Sequence, residues 1–82
     1  MRSGDCIFLM TQEDIINKNR MYEWDADILF PTIEDAIYTK LKNSVSIYEG
    51  IIGICLEYQS DFIKIITPEG IGWSRTGYWK KI

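Results

Sequence analysis

Five carboxylates crowd into thirteen residues of this chain: Glu23, Asp25, Asp27, Glu34 and Asp35, in "EWDADILFPTIED". An Asp-x-Asp pair such as Asp25/Asp27 can hold magnesium or calcium, and two facing carboxylates can share acid and base roles at a glycosidic bond. A calcium loop also needs further oxygen ligands and a glycine turn at fixed spacing, and neither accompanies this pair. A chain of 82 residues leaves little room for a substrate cleft beside its core. The acids are therefore expected to be solvated loop and helix-cap residues, with no metal and no cofactor.

Other catalytic chemistry is thinly supplied. The sequence contains no histidine, which removes the common triads, imidazole acid–base pairs and zinc sites with histidine ligands. Its serines and threonines have no base in a recognisable frame, so no nucleophile stands out. The two cysteines, Cys6 and Cys55, lie in apolar strand-like segments without CxxC spacing and are expected to be reduced core residues. The chain is not expected to be an enzyme.

The aromatic residues are more promising. Tyr22, Trp24, Trp73, Tyr78 and Trp79 include all three tryptophans, and Arg75, Lys80 and Lys81 accompany the carboxyl-terminal group. Aromatic–basic groups can stack on and neutralise single-stranded nucleic acid. A net charge of −3 disfavours that partner, because phosphate binders carry a basic excess. A protein partner is favoured instead. On a closing strand Tyr78 and Trp79 would point to opposite faces, leaving one ring exposed as a docking point near Trp24.

The elements that must position these residues can be read from period and turn chemistry. At this length a single domain is expected over 1–82, and 46% hydrophobic with 26% charged residues is a globular balance. The longest apolar runs are too short to span a bilayer, and "MRSGDC" is not a secretory signal, so no membrane is expected.

"GDCIFLM" reads as a buried first strand. Residues 11–44 lack strand alternation. Thr11 can cap a short helical turn, and Thr32 a better helix at about 33–42, with Ile33, Ala36, Ile37 and Leu41 on one face and Lys40 and Lys42 in the last turn. From Ser46 the period becomes two. "SIYEGIIGICLEYQ" and "FIKIIT" are strands separated by a turn at Gln59–Asp61, "TPEG" is a hairpin tip, "IGWS" returns antiparallel, "RTG" turns, and "YWKKI" closes.

That order resembles the Src-homology-3 (SH3) barrel, in which a strand and long first loop precede three hairpin strands, a one-turn helix and a closing strand. "GWSRTGYW", Gly72–Trp79, occupies the frame where SH3 domains carry Gly-aromatic-aliphatic-Pro-Ser-Asn-Tyr-Val. With "SGDCIFLM" and "EGIIGICLEYQSDFIKIITPEGIGW", it is similar to short SH3-like proteins encoded by bacteriophages. The match covers Gly4–Met10 and Glu49–Ile82.

The resemblance implies a mostly β, five-stranded SH3-like barrel with a partly helical insertion at about 11–44. Cys6-Ile7-Phe8-Leu9, Glu49-Gly50-Ile51 and Arg75 stand where peptide-binding members carry tyrosines, a Trp pair and a proline, so proline-rich peptide recognition is not expected. The expected role is a non-catalytic protein-binding module, a phage accessory protein of the host cytoplasm that docks on a host or phage protein through exposed aromatics and the inserted loop, with inhibition as one outcome of docking. Its expected contacts are Tyr22, Trp24, Asp25, Asp27, Trp73, Arg75, Tyr78 and Trp79. A structural virion or assembly component is the alternative, and a nucleic-acid-binding barrel a second one.

Overall fold

A computed structural model describes residues 1–19 and 24–82. Among them the chain forms a five-stranded antiparallel sheet in the order β6-β5-β4-β1-β7 and a two-stranded ribbon, β2-β3. The strands are β1 (Cys6–Leu9), β2 (Ile28–Leu29), β3 (Val45–Ser46), β4 (Ile52–Gln59), β5 (Phe62–Thr67), β6 (Gly70–Arg75) and β7 (Trp79–Lys81). Helices α1 (Gln12–Asn19) and α2 (Ile33–Tyr38) fall within the long connection after β1, and 3-10 turns occupy Trp24–Asp27 and Thr76–Tyr78.

Local chemistry accounts for the main boundaries. Thr11 Oγ1 accepts the Asp14 N–H, and Thr32 Oγ1 accepts the Asp35 N–H, each at 3.1 Å, so both helices start on their expected caps. Helix α2 is shorter than the expected 33–42. Thr39 adopts a left-handed conformation (φ 53°), and the Lys40 N–H folds back to the Asp35 carbonyl at 2.9 Å. This closure stops the helix at Tyr38. Lys40 and Lys42 therefore lie outside the helix, and of the expected apolar face only Ala36 is buried and Ile33 partly so, while Ile37 and Leu41 are exposed.

The β4–β5 and β5–β6 hairpins follow their turn signals. Ser60 takes φ 52° in the first, and in the second Thr67 Oγ1 donates to the Gly70 carbonyl while accepting the Glu69 N–H. The ladder shifts register between Cys55 and Glu57, a bulge within β4.

The main core lies on one face of the sheet. Ile7, Leu9, Ile51, Cys55, Ile63, Ile65 and Trp79 project into it, joined by Met10, Ile15, Ala26, Leu29, Ile47 and Tyr78 from the surrounding segments. A second, smaller cluster lies over β6 on the opposite face, where Phe30 and Ala36 bury Trp73. Phe30 and Trp73 exchange backbone hydrogen bonds of 2.9 and 2.7 Å, anchoring the segment after β2 to the outer edge of β6.

Close approach there requires Gly72. A Cβ at this position would lie 2.7 Å from Leu29 Cβ and 2.8 Å from the Phe30 carbonyl oxygen. The sheet does not close into a barrel: β6 and β7 are its outer strands and are not paired with each other.

Candidate protein-docking face

The carboxyl-terminal aromatics are structural. Tyr78 ends the 3-10 turn and Trp79 begins β7, so strand alternation does not separate their side chains, and they are 3% and 0% exposed. The expectation that one ring faces outward is thereby corrected. Trp73, 6% exposed, is buried in the second cluster. Trp24 alone of the tryptophans is exposed, at 54%. Tyr22 lies outside the described residues.

The Asp25/Asp27 pair is divided by its surroundings. Asp25 is buried, with Oδ1 accepting the Tyr78 hydroxyl at 2.8 Å and Oδ2 lying 3.9 Å from Arg75 Nε. Asp27 is exposed. Arg75 is half-buried, with its guanidinium 5.0 Å from the Phe62 ring centroid. Asp25, Arg75 and Tyr78 thus form an ion-pair and hydrogen-bond lock between the long connection and the closing turn. Their contacts explain cohesion rather than docking.

A cleft of about 250 Å³ is lined in part by Met10, Ile15, Asp27, Ile47 and Glu49. Glu49 Oε1 already accepts the Gln12 N–H at 2.9 Å. No nucleophile–base pair lines it. Among the described residues, no three Cys, Asp or Glu side chains converge as metal ligands.

The two cysteines have different environments. Cys55 is fully buried, and burial pushes its thiol above the ordinary value, with the Asp5 charge adding to the rise. Cys6 is exposed. This corrects the expectation that both belong to the core: on β1 the inward positions belong to Ile7 and Leu9, so Cys6 points to the other face.

That other face carries the most distinctive surface. Register sets Cys6 opposite Ile54, Ile54 opposite Ile66, and Ile66 opposite Ile71. Directly opposed side chains are neighbours at about 5 Å, so the row crosses β1, β4, β5 and β6 without a polar interruption. The pairing of Ile7 with Lys81 places Ile82 opposite Cys6, and the Ile82 N–H donates to the Cys6 carbonyl at 3.0 Å.

The row is solvent-facing: Ile54, Ile66, Ile71 and Ile82 are 43%, 38%, 49% and 66% exposed. Ile52, also exposed, pairs with half-buried Phe8 in the next row. Exposed single isoleucines are ordinary, but a contiguous apolar row is a candidate docking surface. It can bury apolar area against another protein, and it carries no group for covalent or acid–base work apart from the Cys6 thiol.

Strand period places these isoleucines in strands, but it does not say which face of the sheet is left bare. In "IIGICLE" apolar residues fill both alternations around the start of β4: Ile51, just before the strand, and Cys55 are buried, while Ile52 and Ile54 are exposed. A strand apolar on both faces needs cover on both. Within this chain, Phe30 and α2 cover the Trp73 end of the outer face but leave the isoleucine row bare.

Charges around the row are few. Glu57 and Lys64, opposed across β4 and β5, pair at 3.8 Å, while Lys80 stands opposite Phe8. Asp5 lies at the amino end of β1, 3.7 Å from Lys81. No helix among the described residues is long and apolar enough to cross a membrane. No protein-family model, curated protein or solved structure gives a significant match to the chain.

Proposed function

We propose that the chain is a non-catalytic protein-binding module of SH3-like plan, whose contact surface is the outer sheet face rather than the carboxyl-terminal aromatics. The observation carrying this reading is the uninterrupted exposed row Cys6–Ile54–Ile66–Ile71. Order supports the SH3-like plan: a first strand, a long connection, three hairpin strands, a 3-10 turn and a last strand paired to the first. The bacteriophage resemblance makes an accessory role during infection the context for such a module. Inhibition of the bound protein is one consequence of docking.

Docking by this face would use a flat apolar centre within a polar rim, as protein interfaces do. Trp24 is the remaining exposed aromatic of the expected contact set and supplies a separate test position. Affinity-tagged chain should retain a stoichiometric protein, and Ile66→Lys, folded by circular dichroism, should lose it. Equal retention by wild type and Ile66→Lys, with loss in Trp24→Ala, would move the contact to the long connection and refute the sheet-face reading.

A further inference from the structure

We infer that the occupant of the isoleucine face is a second copy of this chain, packed sheet on sheet. The inference rests on the docking reading above and names its partner. Three observations point to self-association.

The first is extent. Ile52, Ile54, Ile66, Ile71 and Ile82, each 38–66% exposed, make one contiguous apolar patch, on the order of the few hundred Å² that marks an interaction surface. The half-buried Phe8 and the surrounding polar side chains extend the patch toward the ~800 Å² per partner that a stable interface needs. A face of this size suits a globular partner with an apolar surface of similar extent, which this chain itself possesses.

The second is charge. The chain carries net −3, so two copies should meet where the acids are absent. No Asp or Glu side chain falls in the isoleucine row, and Glu57 beside it is paired with Lys64. The row therefore sets no acidic side chain against its own copy, and Lys80, opposite Phe8, is the charge at its margin.

The third is symmetry and edge protection. A two-fold contact demands a self-complementary surface, and a row of nearly identical β-branched side chains meets itself without a special register. Facing sheets pack about 10 Å apart with aligned strands, which suits such rows. Strand addition at the sheet edges is less available, because Phe30 occupies the edge of β6 and Lys80 and Lys81 guard β7.

Sedimentation velocity of the full chain from low micromolar to several hundred micromolar tests the assignment. Wild type should move from monomer to twice the chain mass. Ile66→Lys and Ile71→Lys should raise the dimer dissociation constant at least about 100-fold. Ile16→Lys, at an exposed position on α1, should not change it. The exposed Cys6 thiol provides a readout that requires no substitution in the isoleucine row: its alkylation by a small maleimide should slow as protein concentration rises.

A wild-type monomer at every concentration, or a dimer unaffected by both lysine substitutions, overturns the second-copy assignment. A concentration-independent Cys6 rate does so as well. Capture of a different protein through Ile66 by a monomeric chain would overturn this inference and leave the docking reading standing. Loss of neither self-association nor capture in Ile66→Lys would remove both.

Discussion

Trp79 Nε1 donates to Ser74 Oγ at 2.9 Å, a bond that joins β7 to β6 across the interior of a sheet whose outer strands do not pair. Both residues are buried, at 0% and 2% exposure. The hydroxyl is therefore the means by which a polar indole atom is accommodated in the core.

Ser74→Ala should destabilise the fold by about 1–3 kcal/mol, because the buried indole N–H loses its acceptor. Urea unfolding followed by tryptophan fluorescence measures this. In a double-mutant cycle with Trp79→Phe, the serine change should cost less once the N–H is gone. Strict additivity would show that the bond contributes nothing.

The Asp25–Tyr78 bond should behave as a lock between the long connection and the closing turn. Tyr78→Phe removes a hydroxyl held at 2.8 Å by a buried carboxylate, with an expected loss of about 1.5–3 kcal/mol because the acceptor is charged. Amide exchange should accelerate in Trp24–Asp27 and Thr76–Tyr78 before it does in β4 and β5. Uniform acceleration would argue against a local lock.

Gly72→Ala should be more damaging than a typical glycine substitution. Its Cβ would press on Leu29 and the Phe30 carbonyl, both parts of the segment anchored to β6, and relieving the overlap should cost about 1–3 kcal/mol or more. Reduced burial of Trp73, seen as a red shift in native fluorescence, should accompany the loss. An unchanged melting temperature would contradict the close approach.

Stability should fall in acid partly through Asp5. The Arg2 N–H, donating to Asp5 Oδ2 at 2.8 Å, holds the carboxyl below its ordinary value of 3.8; desolvation opposes this and the Lys81 charge assists it. A folded-state pKa below the unfolded one gives a contribution present above about 3.8 and lost as pH falls through the lower folded value. Asp5→Asn should therefore flatten the decline in unfolding free energy below that point. Parallel pH profiles for wild type and Asp5→Asn would refute the linkage.

The cysteines should separate by reactivity. Native protein should react at exposed Cys6, while Cys55, buried and with its thiol held protonated by desolvation, should react only on unfolding. Mass spectrometry of peptides after brief alkylation distinguishes them. Equal labelling in the native state would contradict the orientation of β1.

The local grammar of this chain was legible in its residues. Thr11 and Thr32 cap helices, "TPEG" makes a hairpin, and the switch to a period of two announces the carboxyl-terminal sheet, because caps and turns depend on a few adjacent backbone groups. Tertiary packing decided which side of each apolar strand was covered. Nothing local to Tyr78 and Trp79 says that a 3-10 turn brings both rings inside, and nothing local to Trp73 says that Phe30 and Ala36 will cover it while Ile71, two residues earlier on the same face, stays bare. Cover is supplied by segments distant in sequence. For that reason the apolar composition of the strands is legible in the sequence, while the exposure of the isoleucine row follows only from where the long connection packs.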